Sequence, residues 1–174
     1  LAVPLAAQQV PTTPPAPMPL TPAQFPPFAE TVLANGMRLI VVASQKQPVV
    51  SLTLAVPAGA FYDAAGKAGT AEMVAGLLTK GAGDRTAEQI AATIEGVGGS
   101  LSASAGADFL TVSAAVLGND RPLAFSLVAD AVLRPTFPAS EIELLRTQTL
   151  SALALAKSQP EAIAQRAFAR GLYG

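Results

Sequence analysis

The sequence predicts an α+β fold: a mainly antiparallel sheet with helices packed on one face. Three observations predict it. Asn35-Gly36 joins two apolar runs, "TVLA" and "MRLIVV", and an Asn-Gly pair between such runs is a strong short-range hairpin signal. The stretch "VVSLTLAVPAG" sets Leu52, Leu54 and Val56 against Ser51, Thr53 and Ala55, the two-residue period of a half-buried strand. The remaining segments read in the order β-β-β-α-α-β-β-α-α-α, so strands neighbour strands instead of alternating with helices.

Composition bounds the chemistry. At 174 residues the chain is long enough for one domain with a substantial core. Charged residues make up 13%, about half the usual share, against 51% apolar, which points to a surface partly covered by a partner or by further chain. A net charge of -1 gives no electrostatic footprint for nucleic acid or an anionic membrane. No apolar run approaches the ~18 residues of a spanning helix. Cysteine and histidine are both absent from the sequence, which excludes disulfides, Ser-His-Asp and Cys-His catalysis, and any zinc site built on imidazole or thiolate within it.

The elements follow in order. Residues 1–29 carry nine of the fifteen prolines and no charge, and are read as a Pro/Ala-rich N-terminal arm favouring extended conformations. Its first residues, "LAVPLAA", resemble the end of a secretory signal, with Ala7 before a candidate cleavage point, so a periplasmic or otherwise exported location is expected. Order is expected from Glu30, beginning with the hairpin and the alternating strand; "AFYDAAGKAG" reads as a loop. A helix over about Thr70 to Thr79 places Met73, Val74, Leu77 and Leu78 at helical spacing and stops at Gly81. Thr86 and Gln89 form a capping box for a second helix with Ile90, Ile94 and Val97 along one side, stopped by "GVGGS". Strands "SLSASAG" and "FLTVSAAVL" come next, then a helix capped by Asn119 and running to about Leu133. After "RPTFP", a Ser140/Glu143 box opens a long helix to about Lys157, with Ile142, Leu145, Thr149 and Leu153 on one face. A Ser158/Glu161 box with Pro160 in the first turn opens the last helix.

Several local patterns carry no chemistry. "GAFYDAAGKAGT" fails as a phosphate-binding loop because Phe61 and Ala68 stand where glycine and a magnesium-binding hydroxyl belong. "GAGDRT" and "GVGGS" read as helix stops, Glu141 and Glu143 as charges suited to a helix N-terminus, and Lys80, Arg85, Arg166 and Arg170 as solvated edges.

Taken together, "TVLANGMRLIVVAS", "PVVSLTLAVPAGAFYDAAGKAGTAEMVAGLLTKG" and "IEGVGGSLSASAGADFLTVSAAVL" resemble the insulinase/pitrilysin family of zinc peptidases, from about Glu30 to Gly174. The resemblance implies the LuxS/metallohydrolase-like peptidase fold. Active members carry His-x-x-Glu-His on the helix that here reads "GTAEMVAGLLTKG". Residues four apart share a helical face, so two imidazoles hold one zinc ion while the glutamate beside them takes a proton from its water, and a later helix adds a carboxylate ligand. Matching the flanks puts Glu72 at the first histidine, Ala75 at the base and Gly76 at the second histidine, with the later carboxylate near Ala152 or Leu153. All four positions are vacant or changed. Glu72 reads best as a solvated carboxylate, and Gly76 as a point of close backbone packing.

The expectation is therefore a non-catalytic insulinase-like homologue, residues 30–174 being the N-terminal half of a longer subunit. It is expected to hold no metal or other cofactor. Its partner would be a homologous active zinc peptidase subunit or a second domain of the same chain. Together they would enclose a chamber for extended peptides, which a sheet edge can take as an added strand. In paired bacterial enzymes of this type, the resemblance further implies, a silent subunit can supply an Arg/Tyr pair from its second domain. The alternative expectation is a scaffold subunit with no peptidase role.

Overall fold

The computed structural model describes residues 26–44 and 46–173. Most of the Pro/Ala-rich arm, including the signal-like start, lies outside the described residues. The chain divides into two compact units at residue 45.

The first unit holds a hairpin of β1 (Phe28–Val32) and β2 (Arg38–Val42), antiparallel with Glu30 opposite Ile40. Gly36 sits at φ 83°, the left-handed conformation that an Asn-Gly turn requires, and the Asn35 side chain accepts the Met37 N–H at 3.1 Å. The strand begins at Phe28, two residues ahead of the expected onset of order.

The second unit is built on a three-stranded antiparallel sheet of β3 (Val49–Val56), β6 (Ser100–Ala105) and β7 (Leu110–Leu117), in the order β3-β7-β6. Central β7 places Leu110, Val112, Ala114 and Val116 on one face, all buried. Register aligns Leu54 with Val112 and Ala103, and Leu52 with Ala114 and Leu101, so apolar side chains of three strands fall in rows on that face. Helices cover it. Ala75 and Leu78 come from α1 (Thr70–Leu77) and its C-cap, Ile94 from α2 (Ala87–Glu95), and Ala124, Leu127, Val128 and Ala131 from α3 (Arg121–Leu133), forming one core with the strands. Burying such side chains is the main favourable term in folding. The opposite face carries small hydroxyls: Thr53 lies opposite Ser113, which lies opposite Ser102, and Ser104 opposite Thr111. Thr53 and Ser113 share a 3.0 Å hydrogen bond, as do Ser104 and Thr111.

Two further helices complete the unit. α4 (Ala139–Ser158) packs on α1, and α5 (Pro160–Tyr173) packs on α4; neither has a buried residue. Arg166 closes the turn between them by donating to the carbonyls of Ala156 and Ala162. Arg166 stays exposed, as a solvated edge should, while making these bonds.

The Thr86 capping box forms in full: the Thr86 hydroxyl accepts the Gln89 N–H, and the Gln89 side chain accepts the Thr86 N–H. Three other expected caps do not form. A 3-10 turn over Gly118–Asp120 precedes α3, whose N-cap is Asp120 with Pro122 in the first turn, so Asn119 caps nothing. α4 starts at Ala139 behind Pro138, which leaves Ser140 inside the helix. Ser158 ends α4 and donates back to the Leu155 carbonyl.

The glycine stop after α1 is also more than a stop. It forms a small hairpin of β4 (Gly81–Ala82) and β5 (Arg85–Thr86), joined through a bridge from Ala82 to Pro135 and hydrogen bonds Gly83 N–H to Arg134 O and Thr136 N–H to Gly81 O. Asp130 of α3, only 6% exposed, accepts from Arg85 at 2.8 Å and from Arg134. The Arg134 hydrogen bond, with the charges of Arg134 and Arg85, outweighs burial and holds the Asp130 carboxyl below its ordinary range. Arg85 therefore serves a buried carboxylate, which corrects its reading as a scattered surface charge.

Candidate functional site

The candidate site is α1 and what meets it. Its N-terminus has no capping side chain of its own, since the N-cap is Gly69 at φ 94°. Asp63 does the capping from the preceding loop: Oδ2 accepts the N–H groups of Gly69 at 2.7 Å and Thr70 at 3.1 Å, and Oδ1 that of Ala71 at 2.9 Å. Of these donors only the Thr70 N–H also reaches a carbonyl one turn back, that of Lys67 at 3.2 Å, and a carboxylate suits the positive end of the helix dipole. The loop is anchored in turn to the β6–β7 connection by Gly59 N–H to Asp108 O, Ala60 N–H to Gly106 O and Phe61 N–H to Ala107 O. That anchorage needs glycine at 59, because a Cβ there would sit 2.5 Å from the Ala107 carbonyl oxygen.

On α1 itself, Glu72 is exposed in the first turn, where the same dipole favours a negative charge. Ala75 is buried at 3% exposure within the core. Gly76 faces α4: a Cβ placed on it would lie 3.0 Å from Leu145 Cδ2. One turn away the seam continues, with the Thr149 hydroxyl 3.9 Å from Met73 Sδ and donating at 2.8 Å to Leu145 O. Ala152, seven residues after Leu145, falls on the same helical stripe. Leu153 lines the groove between α4 and α5 with Ala156, Ala162 and Arg166.

Helix α1 thus brings Glu72, Ala75 and Gly76 together, with Leu145 and Thr149 of α4 against it, while Leu153 looks into another groove. A second cleft, of about 390 Å³, opens beside β5 between Lys80, Asp84, Glu88 and Glu141 and includes none of these positions. There the Thr86 hydroxyl, donating to Glu88 at 2.7 Å, holds that carboxyl below its ordinary range, with the Glu88 backbone N–H and Lys80 adding to the effect. Sequence reasoning missed Asp63, whose signal was an aspartate six residues ahead of a helix start that lacks its own cap. It also missed Asp130, an acidic residue on the apolar side of α3.

The insulinase (Peptidase family M16) profile matches residues 38–173. An uncharacterized zinc protease of Mycobacterium tuberculosis is 33% identical over 144 residues, covering 83% of this chain and 33% of the relative. The mitochondrial-processing peptidase subunit alpha of Solanum tuberosum is 28% identical over 113 residues, covering 65% of this chain and 22% of the relative. Among solved structures, the peptidase M16 inactive domain from Pseudomonas fluorescens superposes with a TM-score of 0.71 at 26% identity, covering 79% of this chain and 34% of that one. A protease from Helicobacter pylori gives the same TM-score at 18% identity, a likeness of fold, covering 80% of this chain and 34% of that one. The chain spans about a third of the length of the curated zinc-protease relatives it matches.

Zinc, which the names of several relatives imply, takes three nitrogen, sulfur or carboxylate ligands from the protein at a catalytic site. The α1–α4 seam offers one carboxylate, Glu72, beside a methyl group, a glycine, a leucine, a threonine hydroxyl and a thioether. Those residues do not fit the ion.

Proposed function

The chain belongs to the insulinase family of peptidases (Peptidase family M16), and we propose that it is a non-catalytic member that pairs with an active zinc peptidase subunit and helps form its peptide-binding chamber. One observation carries the reading. The helix that should hold a metal and a base presents Glu72, Ala75 and Gly76, so it supplies neither a ligand pair nor a proton acceptor beside it. The likeness to an inactive domain from Pseudomonas fluorescens and to a named subunit of a mitochondrial peptidase supports it.

Peptide binding would fall to the sheet. Among the described residues β6 has β7 on one side only within its sheet, and its sequence "SLSASA" holds no proline or charged residue that would block an added strand. The partner would be a separate homologous chain or a further domain of the same one.

The test is reconstitution. The chain is purified alone and together with a homologous subunit that carries the complete histidine motif, and cleavage of a fluorogenic peptide is followed with and without chelator. The chain alone should be silent, and the mixture should cleave faster than the active subunit alone. Stable pairing without any change in cleavage would favour a scaffold role. Chelator-sensitive cleavage by the isolated chain would end the non-catalytic reading.

A further inference from the structure

Resting on that reading, we propose that Leu145 plugs the vacated ligand position: its side chain fills the space over Gly76, so apolar packing joins α1 to α4 where a metal ion would join them in a relative that binds one. Three features carry this. The approach is close, since even a methyl on Gly76 would come within 3.0 Å of Leu145 Cδ2, and the larger ring of a histidine would have to displace that side chain. The contact is part of a continuous seam, because Met73 meets Thr149 one turn toward the start of α1 while Gly76 meets Leu145 one turn toward the start of α4. The two helices therefore run antiparallel along it. Finally, α4 buries no residue fully and its principal contacts are with α1 and α5, so this seam is its main attachment to the core.

Glycine at 76 then has a positive role. It does more than leave out a ligand; it makes the hollow into which Leu145 fits. The consequence is that restoring ligands alone will not restore a metal site. The seam must first be emptied.

Two measurements test this on the full chain. The first is zinc uptake by equilibrium dialysis and metal analysis. A variant combining Glu72→His, Gly76→His and Ala152→Glu should hold less than ~0.1 zinc per chain, and adding Leu145→Ala to it should raise this to about one. Uptake by both variants, or by neither, overturns the proposal. The second needs no metal and guards against a variant that fails to fold. Gly76→His alone should lower the thermal midpoint by ~4 °C or more. Adding Leu145→Ala should raise the midpoint again, although Leu145→Ala on its own lowers it. Strictly additive losses overturn the plug. Stoichiometric zinc on the unaltered chain would instead overturn the non-catalytic reading, so the two failures are distinct.

Discussion

Replacing Asp63 by alanine should loosen the start of α1 and, with it, the whole candidate site. The Asp63 carboxylate satisfies three backbone donors at 2.7, 3.1 and 2.9 Å, on Gly69, Thr70 and Ala71. A conventional N-cap is worth about 1 kcal/mol, and the Gly69 and Thr70 donors together should contribute about that much, because water can replace the carboxylate at that exposed turn. Ala71 is only 6% exposed, so its N–H stays unpaired when the carboxylate goes. An unsatisfied buried donor costs about 1–3 kcal/mol. The two contributions sum to roughly 2–4 kcal/mol, or a fall of about 4–16 °C in thermal midpoint for a domain of this size. Asp63→Asn should fall between, since one oxygen remains an acceptor while the amide N–H₂ faces a donor. Urea unfolding gives the total, and hydrogen exchange shows where it acts: the Ala71 to Met73 amides should exchange faster in Asp63→Ala, beyond the global change. A loss under about 0.5 kcal/mol, or exchange in α1 that merely follows global unfolding, would refute the capping argument.

Asp130→Asn should cost about 1–2 kcal/mol near neutral pH, less than breaking a fully buried ion pair, because Arg85 and Arg134 are 36% and 61% exposed and can turn to water. The Asp130 carboxyl titrates below its unfolded value, so its contribution is fully present above about pH 4 and is lost as pH falls through the lowered folded value; urea midpoints of the variant and the unaltered chain should converge as the pH is taken below that lowered value. Gly59→Ala should cost about 1–3 kcal/mol in urea unfolding, because its methyl meets the fixed carbonyl of Ala107 at 2.5 Å and parts the two loops. Val112→Ala, at 0% exposure in the central strand, should cost about 2–3 kcal/mol by the same assay through the cavity it leaves.

What the sequence made legible was local. Asn35-Gly36 gave the hairpin, the alternation of Leu52 and Leu54 gave β3, and Thr86 with Gln89 gave a full capping box, because each signal and its partner lie within four residues. The same box pattern misled at Ser140, where Pro138 starts the helix earlier and puts the serine inside it, and at Ser158, which the preceding helix absorbs. Asp63 reaches its donors across six to eight residues, and Arg85 reaches Asp130 across forty-five, beyond any rule about neighbours. The positions of the degenerate motif could be read from flanking residues alone. That Leu145 lies against Gly76 could not, because it depends on how α4 returns to α1.

The hydroxyl-bearing side of the three-stranded sheet has a kinetic consequence. Ser51, Thr53, Ser100, Ser102, Ser104, Thr111 and Ser113 bring no formal charge to it. A molecule approaching that surface gains no long-range pull from these groups, so any steering of its capture has to come from charges on other elements.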